Sequence, residues 1–407
     1  MEKLAIDGGT PVFGSKTIRD YYPTWPIPYP ETKEKLIEIY DSGKWGMCDK
    51  YEKMLMPEFA KYQGAKYSVW MCNGTTTLEC ALLALGIGPG DEVIVPAHTW
   101  IATGEAVVHR GATPVVVDIE HDTLCMDPER FEAAITPKTK AVIPVHLFGS
   151  MADMERINAI AKKHGLAVIE DCAHAHGGEW DGKHVGTLSD VGSFSFQQSK
   201  LMASGEGGCC ITNDDDLADT LGRLSHIGYQ FGSKQGQKGT PPPVGLLCHN
   251  YRVTDFQAEI LLSQLAHLKE DTIARAKNAE ILRKRLNAIP GVMVQAAGRK
   301  ATLQSYYTYC VMVDHTRLKE GFTRADVLKA IQAEGVTAYE GWGQPMYRQN
   351  LWTVPEDMYR NEGCETAENI IANDLTMMNL QYLMLSEADT HKIADAYEKV
   401  LSVYMEK

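Results

Sequence analysis

The sequence predicts an α/β protein, in which a large domain with a mostly parallel sheet covered by helices is followed by a smaller C-terminal α+β domain. Three observations predict it. Between residues 67 and 212, short β-rich runs alternate with helical runs. Those β-rich runs are close to continuously apolar, as strands buried on both faces are. After residue 254 the pattern changes to one long helical stretch followed by strand, helix and strand. A chain of 407 residues suits two domains, since single cores stop growing near ~250–300 residues. The expected division is an N-terminal arm with the large domain over 1–254, and a linking helix with the small domain over 255–407.

Roughly 30 opening residues are rich in Pro and Gly, with Tyr22-Pro23 and Pro26-Ile27-Pro28-Tyr29-Pro30, and read as an extended arm outside the core. Helices are expected over 31–42 and 50–63. In the alternating region the expected strands are 67–71, 92–96, 113–118, 141–145, 167–170, 191–196 and 209–212. The helices between them are 76–85, 101–109, 128–134 and 153–164. Gly88-Pro89-Gly90-Asp91 and His164-Gly165 punctuate helix-to-strand transitions. Residues 230–247 read as a long loop of the kind that forms lids or reaches a neighbour. A helix over 255–288 carries Ile260, Leu261, Leu265 and Leu268 at helical spacing. Strand 306–313, helix 324–334, strand 337–339 and a closing helix 387–404 complete the chain.

Composition is ordinary for such a fold, 44% hydrophobic and 23% charged, and no apolar run is long enough to span a bilayer. A net charge of −13 argues against a nucleic-acid partner, which needs a basic footprint. The opening residues have no signal-peptide core, so a cytoplasmic location is expected. None of the ten cysteines is spaced as Cys-x-x-Cys. Cys72, Cys172, Cys210 and Cys310 sit in apolar runs and read as buried thiols, without a disulfide framework or zinc ribbon.

Ligands of parallel sheets bind beyond the carboxyl ends of the strands, so those ends are where chemistry is expected. After the first strand come Asn73-Gly74-Thr75-Thr76-Thr77 at a helix start. This is an anion cradle, or an ordinary threonine cap. Trp100, after the second strand, can stack on a flat ring or fill a core. Asp171 follows an apolar strand and needs a partner, which a pyridinium nitrogen would be. His174 and His176 beside it also allow a metal site. Ser195 faces opposite to Phe194 and Phe196, and could hydrogen-bond a phosphate. Lys200 stands on a polar turn backed by Gly205-Glu206-Gly207-Gly208, and is either a surface lysine or a Schiff-base amine. A phosphate cradle, a ring stacker, a pyridinium partner and an amine on one sheet together suit pyridoxal 5′-phosphate (PLP). A metal hydrolase using Asp171, His174 and His176 is the competing reading. A non-catalytic regulator on the same fold is a third.

The ordered set Asn73-Gly74-Thr75-Thr76, His98-Thr99-Trp100, Glu170–Gly177, Ser193–Gly208 and Asn250-Tyr251-Arg252 resembles the DegT/DnrJ/StrS sugar aminotransferases. The resemblance spans nearly the whole chain. It implies a fold-type-I, PLP-dependent homodimer with shared active sites. It also implies Lys200 as the Schiff-base lysine, Asp171 as partner of the ring nitrogen and His174, at a place often held by Gln, as partner of the ring hydroxyl. Trp100 would stack on the ring, and Gly74, Thr75, Thr76 and Ser195 would bind the phosphate. Asn250 would reach the phosphate of the neighbouring subunit. Relatives that are dehydratases carry His in place of the lysine, so Lys200 points to transamination.

Gln197-Gln198-Ser199-Lys200, the run 144–154 and the run 171–177 are similar to the family's glutamine-dependent keto-inositol aminotransferases and 3-amino-5-hydroxybenzoate synthases. This implies glutamine or glutamate as amino donor and a keto-cyclitol or keto-sugar as acceptor. A free carbocyclic ketone is favoured over a nucleotide sugar. Two segments depart from the pattern: Asn379-Leu380-Gln381-Tyr382-Leu383, where relatives tend to carry a His-His pair, and Tyr339-Glu340-Gly341-Trp342-Gly343.

Overall fold

The computed structural model describes residues 3–46, 50–233, 236–237 and 239–406. Its first nine strands are β1 Tyr67–Met71, β2 Glu92–Pro96, β3 Thr113–Val117, β4 Thr139–Val142, β5 Ala167–Asp171, β6 Glu179–Trp180, β7 Lys183–His184, β8 Val191–Ser195 and β9 Gly208–Thr212. Five follow: β10 Val292–Val294, β11 Ala301–Leu303, β12 Thr308–Val313, β13 Arg360–Asn361 and β14 Leu375–Asn379. The large sheet has the order β1-β9-β8-β5-β4-β2-β3-β13. It is parallel from β8 to β13, and antiparallel only where β9 pairs with β1 and β8. The apolar runs occupy its centre as expected, with Val93, Ile94, Val95, Val115, Val116 and Val117 all fully buried. The short edge strand β13 lies in a stretch with no strand-like pattern.

Register brings the chemistry together. Asp171 pairs with Ser193, Ser195 pairs with Gly208, and Gly208 pairs with Met71. The carboxyl ends of β1, β5 and β8 therefore lie side by side. The helix Gly74–Ala84 starts directly above them, two residues earlier than its pattern suggests, because Asn73 caps it by accepting from the N–H of Thr76 at 2.9 Å.

The helix Asp255–Leu286 opens on a capping box of Thr254 and Gln257 and leads into a second sheet, β10-β12-β14. Its third strand is Leu375–Asn379. The strand expected over 337–339 is reduced to one bridge between Tyr339 and Met377, because Gly335 and Gly341 turn the chain into the left-handed region on either side. The opening arm is also more than an extension. Leu4, Phe13 and Ile18 are buried in the second apolar cluster with Val327, Ile331 and Val336. The Glu334 carboxylate accepts from the N–H groups of Ala5 (2.8 Å) and Val12 (3.1 Å) and pairs with Lys399 at 2.9 Å. Lys234, Gln235 and Lys238 of the loop expected over 230–247 lie outside the described residues. Arg223 donates to the Thr240 carbonyl in that loop at 2.8 Å. Among the described residues no helix is long and apolar enough to cross a membrane.

Candidate active site

A cavity of about 430 Å³ opens above the ends of β1, β5 and β8. Gly74, Thr75 and Ser195 line it together with Trp100, Asp171, His174 and Lys200. The sequence drew these seven from four separate segments. Two further candidates stay outside. The Thr76 hydroxyl turns back to donate to the Asn73 carbonyl at 2.8 Å, completing the helix cap instead of facing the cavity. Asn250 is exposed, in a bridge with His226.

Close approach explains the glycine at the helix start. A Cβ on Gly74 would stand 2.6 Å from the Ser195 Cβ, so any side chain there would push the helix N-terminus away from the strand end. Gly208 does the same from below, where a Cβ would meet the Asn73 carbonyl oxygen at 2.3 Å. The result is a helix N-terminus, with its unpaired N–H groups and partial positive charge, held against the Ser195 hydroxyl.

Asp171 is buried, and burial pushes its carboxyl above the usual carboxylate range. Its Oδ1 accepts from the N–H of Ala173 at 3.2 Å and its Oδ2 from Thr103 Oγ1 at 3.0 Å. Glu170, the residue before it, faces the other side of the sheet. There it accepts from Gly186 N–H (2.7 Å), Leu188 N–H (2.8 Å), Ser189 Oγ (2.8 Å) and His146 Nε2 (3.0 Å). One carboxylate saturated with donors thus anchors the strand end from which its neighbour meets the cavity.

Lys200 rides on a turn closed by its own N–H donating to the Gln197 carbonyl at 2.8 Å, and Trp25 Nε1 donates to the Lys200 carbonyl at 3.0 Å. Burial of the amine lowers its pKa to about 8, with Asp171 pulling the other way. About a tenth of it is therefore unprotonated and nucleophilic at pH 7, several hundred times the fraction of an ordinary lysine. His174 is buried and held well below its usual pKa, by burial first and then by the Lys200 charge. The Phe148 N–H faces its Nδ1 at 3.4 Å, which leaves the ring proton on Nε2. Trp100 is 41% exposed and tilted against Trp342 at 5.9 Å, which makes it a wall of the cavity and not a core residue.

The metal reading loses its ligands. His176 is buried edge-on between Phe194 and Phe196. Among the described residues, Asp171, His174 and His176 form no group with ligand atoms in metal range. The histidine–carboxylate–thiol group nearby is His146, Glu170 and Cys172, fully buried, with its carboxylate already committed to four donors.

Thr103 and Tyr307 also line the cavity and lie outside every quoted motif, and Thr99 and Trp342, quoted but given no role, line it too. Thr99 and Thr103 are four apart across a helix start, a spacing that could have been noticed. Tyr307 and Trp342 both arrive from beyond the long helix; Tyr307 carries no local signal, whereas Trp342 lies in the segment 339–343 that departs from the family pattern.

The profile of the DegT/DnrJ/EryC1/StrS aminotransferase family matches residues 28–397. A Streptomyces kanamyceticus L-glutamine:2-deoxy-scyllo-inosose aminotransferase is 39% identical over 340 residues, 81% of this chain and 77% of that protein. A protein of the same name from Streptoalloteichus tenebrarius is 36% identical over 419 residues, 98% of this chain and 97% of that one. Among solved structures, 3-amino-5-hydroxybenzoic acid synthase aligns with a TM-score of 0.82 at 30% identity, over 94% of this chain and 98% of that chain. An aminotransferase from Psychrobacter cryohalolentis aligns with a TM-score of 0.85 at 29% identity, over 94% and 99%. Fold, strand-end cavity and sequence agree, and the chain belongs to the DegT/DnrJ/EryC1/StrS aminotransferase family.

Proposed function

We propose that this protein is a PLP-dependent aminotransferase that moves an amino group from glutamine or glutamate to a keto-cyclitol, with Lys200 as the covalent lysine. The observation that carries the reading is the pairing, in one cavity, of a buried carboxylate raised in pKa with an amine lowered to about 8. Asp171 is a seat for a cationic ring nitrogen, and the N-terminus of the helix Gly74–Ala84 with Ser195 is a seat for a phosphate. The donor set therefore fits PLP.

When bound, PLP would supply an electrophilic carbonyl carbon and an electron sink. Asp171 would keep the ring nitrogen protonated, and its buried setting makes that ion pair strong. His174 would offer its Nε2–H to the ring oxygen. Gly74, Thr75 and Ser195 would hold the phosphate, and Trp100 would cover the ring. Lys200 would take the proton from the donor carbon and, in the second half-reaction, return one to the acceptor carbon. Both transfers suit a base with a pKa near the working pH.

Two observations support a free polyhydroxy ketone as acceptor. Among the described residues of this chain lining the cavity, Lys200 carries the single positive charge, so the chain by itself offers no cationic pair to a nucleotide diphosphate. The two segments that depart from the family pattern also meet, with Tyr339 Oη donating to Asn379 Oδ1 at 2.8 Å, beside the cavity-lining Trp342. The names of the relatives point the same way. The exposed Asn250 supports a homodimer in which each site borrows this residue from the other copy.

Addition of PLP to purified protein should produce a visible absorbance band in the wild type and none in Lys200→Ala. A colourless wild type overturns the reading. The pyridoxamine phosphate form, offered keto-inositols and nucleotide keto-sugars in parallel, should recover the band with a keto-inositol.

A further inference from the structure

Tyr307 lies against two groups of the proposed site, His174 and Lys200. Its ring stacks on the imidazole of His174, with centroids 4.1 Å apart and planes 15° apart. Lys200 Nζ lies 4.9 Å from the centroid of the same ring. The phenol oxygen is 2.9 Å from Ser199 Oγ. That hydroxyl spends its own proton on Gln197 Oε1 at 2.8 Å, so the phenol is the donor. Ser199 is the residue before Lys200, and its N–H also donates to Gln197 Oε1.

The backbone around Tyr307 is strained in a way that aims it. Tyr306 (φ 55°) and Phe148 (φ 58°) are both in the left-handed region, which aromatic residues seldom occupy. They lie against each other: the N–H of Tyr307 donates to the Phe148 carbonyl at 3.0 Å, and the N–H of Phe148 faces His174. Gly149 makes the approach possible, since a Cβ there would stand 2.5 Å from the Tyr306 nitrogen. Strain of this kind persists only where the surroundings over-determine it, and it concentrates at functional sites.

We propose that Tyr307 is a positioning residue for Lys200: its ring face seats the cationic amine in the cavity, and its hydroxyl, through Ser199, fixes the turn that carries that amine. The quadrupole of the ring attracts the ammonium, most strongly where water is excluded. The other groups facing the amine are Asp171, which favours its charge, and His174 and His176, which burial holds neutral. Glu206 lines the same cavity. The inference rests on the proposed role of Lys200, but its test does not use the cofactor.

PLP-free protein is labelled with trace acetic anhydride across pH, and Lys200 acetylation is read by mass spectrometry. The wild type is compared with Tyr307→Phe, Tyr307→Leu and Tyr307→Met, each checked for folding by circular dichroism. Tyr307→Phe should keep the wild-type pH midpoint, because the ring face remains, and label several-fold faster at every pH, because the turn is loosened. The two aliphatic variants keep the site apolar without a ring face. Their midpoint should fall by about one unit, a tenfold change in the charged fraction at a given pH. Midpoints that do not move, that rise, or that move equally in Tyr307→Phe overturn the proposal. Should both aliphatic variants fail to fold, an unchanged labelling rate in Tyr307→Phe overturns it alone. A colourless wild type with PLP would instead defeat the aminotransferase reading and leave this result standing.

Discussion

Thr103 Oγ1 donates to Asp171 Oδ2 at 3.0 Å, and Thr99 Oγ1 lies 2.8 Å from the Thr103 hydroxyl. All three groups are buried. The bond crosses from the first turn of the helix Ala102–His109 to the end of β5 and fixes which way the carboxylate faces. Replacing Thr103 by the nearly isosteric Val removes one donor to a buried carboxylate, a bond worth about 1.5–3 kcal/mol. Thr103→Val should therefore weaken PLP binding by about tenfold or more, measured by fluorescence titration. Unchanged affinity would mean that the cofactor is not held through Asp171.

Gly74→Ala tests the cradle. The added methyl meets the Ser195 Cβ at 2.6 Å, inside any real contact, and both partners sit on backbone that cannot turn away. Overpacking of this kind costs about 1–3 kcal/mol. Thermal melts should show a lower midpoint, and PLP should compete less well against inorganic phosphate. Retained affinity for PLP would locate the phosphate elsewhere.

Acid sensitivity should come from His98 and His176. Both are buried, and burial lowers each pKa to about 3, with no hydrogen-bond partner on the ring nitrogens of His98. Between about pH 6.5 and pH 3 the unfolded chain binds protons that the folded chain does not, so stability falls as pH falls through that window. The loss should reach about 2 kcal/mol for each histidine by pH 5. Urea unfolding at pH 7 and pH 5 measures it. His176→Phe, between two phenylalanine rings, should lose less than the wild type over the same interval.

Asn250 is exposed and outside the cavity of its own chain, so its proposed role requires a second copy. Asn250→Ala should bind PLP more weakly with little change in stability. Mixing inactive Lys200→Ala with an Asn250→Ala variant of low activity, after mild dissociation, should restore activity, because mixed dimers hold one site with both wild-type residues. No gain on mixing would mean that each site is complete within one chain.

Much of the site was legible because strand ends are local. The runs ending at Met71, Pro96, Asp171 and Ser195 are set by apolar pattern and breakers within a few residues, and chemistry in such sheets collects beyond them. Thr76 stays out of the cavity lining for an equally local reason. Asn73 is the helix cap, which turns the third-position hydroxyl back to the backbone, and a hydroxyl at a helix start looks the same in sequence whether it faces ligand or cap. The arm was misread because proline and glycine describe backbone stiffness, whereas Leu4, Phe13 and Ile18 are buried by a surface built over 300 residues later.

By itself the sequence determined the alternation of the main strands and helices between residues 67 and 212, the parallel sheet and the run of residues at its carboxyl edge, since periodicity, caps and turn chemistry act between near neighbours. Only the tertiary structure decided what surrounds Lys200 Nζ. Tyr307 meets the lysine-bearing turn across 108 positions and Trp25 meets it across 175. Contacts at those separations depend on how two apolar clusters pack, and no local pattern encodes them.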